Sequence, residues 1–281
     1  MVYQKYGETF RRIRQQRGLS TSAFKYLGIS KTTISNFENG KQMMAFDKVE
    51  AALREMHVTL SDYQLSINNG IIDHYIDAFS RIESAYFAQD ERQLSFIYQD
   101  YKDSINEWDH KIALSAKACY RSLSDAEKAE LMHYFDHLEE WNLFDLSVYA
   151  NCITQLDNDY TFKLMEHFWN SRHSYMASSS YRRILTRAVC RVLINFVEAD
   201  EKEMAEVILK RLKDALFPTD LVLRVFIKFF EGYYEYAFVN KSEGKKEMRK
   251  LIRICETLES YELENIFEHY YKRAVTKDKK A

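Results

Sequence analysis

Gly28-Ile29-Ser30-Lys31-Thr32-Thr33-Ile34-Ser35-Asn36-Phe37-Glu38-Asn39-Gly40-Lys41 reads as a short helix with one apolar and one polar side. Ser30 is placed to cap it by accepting a backbone N–H, and Gly40 supplies the left-handed residue that stops it. Ile34 and Phe37, three apart, face a core. That leaves Lys31, Thr32, Ser35 and Asn36 on the remaining faces, with the donors and acceptors that read base edges. Upstream, Phe10, Ile13, Leu19, Ala23, Phe24 and Leu27 are spaced for two further helices broken at Arg17-Gly18, the second capped by Ser20. Downstream, Val49, Ala52, Leu53 and Met56 predict a fourth helix, and Leu60, Tyr63, Leu65 and Ile67 a fifth. Asn68-Asn69-Gly70 breaks the pattern, which gives a DNA-binding domain over 1–67, a linker over 68–70 and a second domain over 71–281.

From Gly7 to Lys41 the string resembles the helix-turn-helix domain of the phage-repressor (XRE) type, whose third helix enters the major groove. In that family a basic residue on the first helix pairs with a glutamate near the end of the recognition helix, so the resemblance implies a structural pair of Arg14 and Glu38. The candidate DNA-contacting residues are Arg11, Thr21, Lys31, Thr32, Ser35, Asn36, Asn39 and Lys41.

Charge supports the division. Residues 1–60 carry a net +5, and the remainder carries −7 to reach the formal −2 of the whole chain. A basic head attracts phosphates while an acidic body discourages wrapping by DNA. At 46% hydrophobic the chain is folded rather than disordered, and one proline with seven glycines in 281 residues favours helices over sheets. No apolar run approaches the roughly 20 residues of a membrane span, and Met1-Val2-Tyr3-Gln4-Lys5 does not open a signal peptide, so a cytoplasmic protein without a membrane partner is expected. Cys119, Cys152, Cys190 and Cys255 are scattered through apolar patterns without metal-ligand spacing, and are read as reduced thiols. No nucleophile, base, phosphate loop or metal set appears, so neither catalysis nor a cofactor is expected.

Beyond residue 71 amphipathic helices recur with a period. Leu164-Met165, Val207-Ile208 and Leu251-Ile252 are 43 and 44 residues apart, and Glu203-Met204 returns as Glu247-Met248. Each pair follows a turn signal: Asp157-Asn158-Asp159, Ala199-Asp200-Glu201, and Asn240 to Gly244. The expected fold is all-α, the helix-turn-helix domain being followed by an α-solenoid of degenerate tetratricopeptide-like hairpins.

With the strings Glu140-Trp141-Asn142-Leu143-Phe144-Asp145-Leu146, Ala150-Asn151-Cys152, Leu193-Ile194-Asn195 and Phe230-Glu231-Gly232, the chain resembles the Rgg/GadR/MutR transcriptional regulators of streptococci and related bacteria. The resemblance implies a cytoplasmic homodimer that binds double-stranded promoter DNA and responds to a short, apolar, re-imported peptide pheromone, as in quorum sensing. Two departures stand out. Asn36 and Asn39 occupy positions where the family often carries arginine, and Met43-Met44-Ala45-Phe46 lacks the cysteine that cross-links some members.

Candidate peptide contacts are Asn151, Tyr175, Tyr181, Arg182, Arg183, Asn195 and Arg224. The asparagines can pair with an extended backbone or cap the turns that follow them, and the arginines can pair with carboxylates or serve as solvated surface charges. The aromatics, 15% of the chain, are read mainly as packing between hairpins, with a minority lining a groove. Phe267 to Arg273 is read as a cap on the solenoid or a dimer contact, and Lys277 to Lys280 as a frayed tail. Two alternatives stay open: a phage-type repressor whose second domain only dimerises, and a tetratricopeptide-like protein-interaction regulator.

Overall fold

The computed structural model describes residues 4–70, 73–171, 178–214 and 220–278, and its regular structure there is entirely helical. Tertiary contacts divide the chain into two compact units, Met1–His74 and Tyr75–Ala281. No helix among the described residues is long and apolar enough to cross a membrane.

The first unit contains α1 (Gln4–Gln16), a 3₁₀ turn (Lys25–Leu27), α2 (Lys31–Glu38), α3 (Phe46–Glu55) and α4 (Leu60–Ile67). Its core gathers around Phe10, with ring centroids 6.0 Å from Phe24 and 5.5 Å from Phe37. Helices α1 and α2 touch backbone to backbone at Gly7, where a Cβ would lie 1.9 Å from the Phe37 carbonyl oxygen. The phenol of Tyr63 donates to the Tyr6 carbonyl at 2.7 Å and ties α4 to α1.

Two expectations change here. The helix capped by Ser20 is instead a turn over 21–24 followed by the 3₁₀ turn. Left-handed Gly18 (φ +68°) and Gly28 (φ +73°) bracket the segment, i→i+3 bonds such as Ala23 N–H to Ser20 C=O run through it, and the Ser20 hydroxyl pairs with that of Ser22 at 2.9 Å rather than capping a helix. On α4 only Tyr63 is fully buried, while Leu60 and Leu65 are exposed.

The second unit runs α5 (His74–Phe87), α6 (Glu91–Tyr101), α7 (Glu107–Ala118), α8 (Asp125–Asp136), α9 (Leu143–Cys152), α10 (Asn158–Ser171), α11 (Ser179–Glu198), α12 (Lys202–Asp214), α13 (Leu221–Phe238), α14 (Lys241–Thr257) and α15 (Tyr261–Asp278). Neighbours α6/α7, α11/α12 and α13/α14 pack as hairpins, and α7, α9, α11 and α13 pack in succession as a central layer. This is a solenoid of degenerate tetratricopeptide-like hairpins.

Two of the three expected turn signals act as side-chain caps, and at the third Asp200 turns the chain in the left-handed region at φ +65°. Asp157 Oδ1 accepts from the Asp159 and Tyr160 amides, and Asn240 Oδ1 from those of Ser242 and Glu243. The register of the repeat is sharper than the apolar pairs suggest: buried Met165, Ile208 and Leu251 stand 43 residues apart at both steps, whereas Val207 is 40% exposed. Ala205 and Met248, both fully buried, keep the same spacing.

Helix α15 packs on α13 and α14, with Phe267 stacked on Phe229 at 4.1 Å between centroids. It continues through Asp278, so Lys277 belongs to a helix rather than to a frayed tail; Lys279 and Lys280 lie outside the described residues. The first and last helices of this unit meet, the Tyr86 and Tyr270 hydroxyls standing 2.6 Å apart. All four cysteines are free thiols, and burial pushes the pKa of Cys152 up to about 12.

Candidate DNA-recognition helix and ligand wall

Helix α2 is fixed at both ends. The Ser30 hydroxyl accepts the Thr33 amide at 3.0 Å, and Asn39 at the C-cap donates from Nδ2 to the Ser35 carbonyl at 2.8 Å before Gly40 turns the chain away at φ +66°. Ile34 and Phe37 are buried and anchor one side. Lys31, Thr32 and Asn39 are exposed, Ser35 and Asn36 half-buried. The polar face therefore carries a cation, a hydroxyl and a carboxamide on its N-terminal two turns, the part of a recognition helix that reaches base edges. Lys41 and Arg11 are exposed and Thr21 is half-buried outside the helix, positions suited to phosphate. Asn39 spends one amide N–H on its own helix, which leaves it less free than Asn36.

The orientation of α2 on α1 is locked by a buried bidentate pair. Arg14 Nε and Nη2 donate to Glu38 Oε1 and Oε2 at 2.6 and 2.7 Å, while Nη1 donates to the Leu19 carbonyl at 2.5 Å. The two side chains are only 8% and 4% exposed. The fork geometry of a guanidinium suits this triple role, and it closes the turn that replaces the expected second helix.

In the second unit the candidate peptide contacts separate. Asn195 on α11 is half-buried, and its carboxamide makes no hydrogen bond among the described residues. Arg183 is exposed, 3.9 Å from Glu83, and Arg224 is exposed on α13.

The others are engaged in packing. Asn151 is 1% exposed, its Nδ2 donates back to the Ser147 carbonyl at 2.9 Å, and its Oδ1 stands 3.8 Å from Cys119 Sγ. It therefore caps no turn and reaches no open wall. Tyr181 is fully buried and stacks on Phe168 at 6.3 Å. Arg182 is spent on a bidentate pair with Asp220, at 2.8 and 3.2 Å. Tyr175 lies outside the described residues.

Sequence reasoning also missed two buried arginines of α11. Arg187 Nη1 pairs with Glu83 at 2.6 Å. Arg191 is 4% exposed, lies 3.9 Å from the centroid of the Tyr86 ring and donates from Nη1 to the Ala150 carbonyl at 2.7 Å. Their spacing at i and i+4 on either side of the apolar stretch Ala188-Val189-Cys190 was the available signal.

Comparison with known proteins agrees with this architecture. Residues 10–63 match a helix-turn-helix family model, and residues 88–269 match the model described as "HTH-type transcriptional regulator Rgg, C-terminal domain". Among solved structures, the SHP pheromone receptor Rgg2 of Streptococcus dysgalactiae is 19% identical with a TM-score of 0.77, over 95% of this chain and 99% of that one. A Listeria monocytogenes EGD-e structure at 15% identity gives 0.82 over 99% of each chain. PrgX in complex with cCF10, at 11% identity, gives 0.70 over 97% of this chain and 93% of that one. The Rgg model spans well over half of the sequence, and the chain belongs to the Rgg family of helix-turn-helix transcriptional regulators.

Proposed function

We propose that this regulator binds promoter DNA as a homodimer through α2, and that a short, re-imported apolar peptide held by the second unit switches its activity inside the cytoplasm. The observation that carries the reading is the capped helix α2, which holds Lys31, Thr32 and Asn36 on its outer face and is joined in one chain to an Rgg C-terminal domain over residues 88–269. Rgg2 is described as a pheromone receptor, and PrgX has been solved with cCF10 and with iCF10, which supports a peptide as the ligand class here. A dimer follows from symmetry, since two recognition helices about one DNA turn apart read a two-fold operator that a single helix is too short to specify.

Operator titrations test the first half. Lys31→Ala and Asn36→Ala are each expected to weaken specific binding by about 1–3 kcal/mol, whereas Lys41→Ala weakens all sequences alike and lowers the salt slope by about one. Equal losses on operator and random DNA from the α2 variants would place those residues on phosphates and refute base reading.

The second half is tested by calorimetry with candidate short apolar peptides. Asn195→Ala is expected to lose about 1–3 kcal/mol of peptide affinity with an unchanged melting temperature. Asn151→Ala is expected to melt early because it removes a buried, hydrogen-bonded carboxamide and leaves a cavity behind Cys119. The reverse pattern would move the ligand wall from α11 to α9.

A further inference from the structure

A cavity of about 380 Å³ opens where the C-terminal ends of α7 and α9 approach α5 and α15, and Tyr86, Cys119, Arg121, Gln155, Tyr270 and Arg273 are among its walls. Arg191 lies directly behind Tyr86 and Cys119. It is a guanidinium 96% removed from water with no carboxylate partner among the described residues, and its Nε has no hydrogen-bond acceptor. Its neighbour Arg187 is different, because Glu83 neutralises it.

The carbonyls at the end of α9 offset part of the Arg191 charge through the helix dipole, and the face of Tyr86 offsets a little more. Neither supplies a full negative charge, and a buried cation without one is costly. In front of it, exposed Arg121 makes no ion pair among the described residues, and Arg273, held by Glu198, adds a second cation at the rim. Glu91 is the one acidic side chain lining the cavity among the described residues. The remaining walls include Leu94, Tyr120 and Ile266, so an apolar group is accommodated beside the positive field.

We propose that this cavity binds a carboxylate, the free C-terminus of the regulating peptide, with the last apolar side chain against the Tyr and Ile walls and Arg121 and Arg191 supplying the countercharge. The assignment rests on the peptide-responsive reading above. It names which end of the peptide is held, and it makes the closure of α5 on α15 through Tyr86 and Tyr270 part of the same site. An inorganic anion would use the cations and leave the apolar walls empty.

Equilibrium dialysis of the full-length protein against mixed apolar octapeptides, made once as free acids and once as C-terminal amides and read by mass spectrometry, tests it. The free acids are expected to be retained about tenfold over the amides, the size of one charge-assisted contact, and the ratio is expected to fall towards one in Arg191→Gln and in Arg121→Gln. Arg121 is on the surface, so its variant decides the question even where Arg191→Gln fails to fold. Equal retention of acids and amides by the wild type overturns the carboxylate site and leaves the peptide reading intact. Retention of neither overturns the peptide reading and this site with it. A preference that survives Arg121→Gln moves the carboxylate elsewhere. Amidated octapeptides with one internal glutamate form the third arm, and retention of these equal to that of the free acids would assign a side-chain carboxylate and overturn the terminal one.

Discussion

Arg14→Met is expected to unfold the N-terminal unit under conditions in which the second unit stays folded. The substitution leaves the Glu38 carboxylate, 4% exposed, without its guanidinium, and it strips the Leu19 carbonyl of its donor. Breaking one side of a buried ion pair costs about 3–5 kcal/mol, a large share of the stability of a domain of this size at roughly 0.05–0.15 kcal/mol per residue. The double variant Arg14→Met/Glu38→Met removes both charges and is expected to recover most of the loss, because two apolar side chains of similar length can fill the same space.

The measurement is clean because Trp108, Trp141 and Trp169 all lie in the second unit. Tryptophan fluorescence follows that unit alone, while far-ultraviolet circular dichroism follows both. A single variant within about 1 kcal/mol of wild type would mean that the pair is wet in solution and that α2 is oriented by the phenylalanine core instead. Operator binding should disappear with the first transition and return with the double variant.

How far the sequence could be read depends on whether the deciding contact is local. The cap at Ser30, the stop at Gly40 and the inward pair Ile34 and Phe37 are all settled within a few residues, and the structure holds each of them as expected. The Ser20 helix failed for an equally local reason: serine hydroxyls and two left-handed glycines favour turns over a short α-helix. The repeat is visible as recurring apolar pairs, but a pair does not say which of its residues points inward, so separations of 43 and 44 between pairs become 43 at both steps once exposed Val207 is set aside.

The ligand wall was the least legible. Asn151 and Asn195 sit in similar apolar strings, yet one is sealed behind Cys119 and the other keeps a carboxamide without a hydrogen bond among the described residues. The difference is set by partners far away in the chain. Tyr86 and Tyr270, 184 residues apart, meet above Arg191, and no pattern within a single helix announces that approach.

The hairpin that supports this approach gives the second large effect. Gly244 sits inside α14, where alanine would ordinarily be better by about 1 kcal/mol. Here a Cβ would stand 2.2 Å from the Tyr236 amide nitrogen and 2.6 Å from the Gly232 carbonyl oxygen, all backbone that has no rotamer to change. Gly244→Ala therefore forces α13 and α14 apart along the stripe of Met248, Leu251 and Cys255, and overpacking of this kind costs about 1–3 kcal/mol, more when the obstacle is main chain. The melting temperature should fall by roughly 3–10 °C for a unit of this length. Gly232→Ala is the control, since its Cβ would meet the flexible Met248 Cγ at 3.2 Å and the Gly244 oxygen and Met248 nitrogen at 3.3 Å; the strain is a few tenths of an ångström and the gain in helix propensity offsets it. The contrast between the two glycines carries the test: if both variants melt alike, or Gly244→Ala melts higher, the helices are free to separate and the close approach does not set their spacing. If the contrast holds, it reaches the ligand wall as well, because α15 lies on this hairpin through Phe229 and Phe267 and carries Tyr270 to its contact with Tyr86 over Arg191.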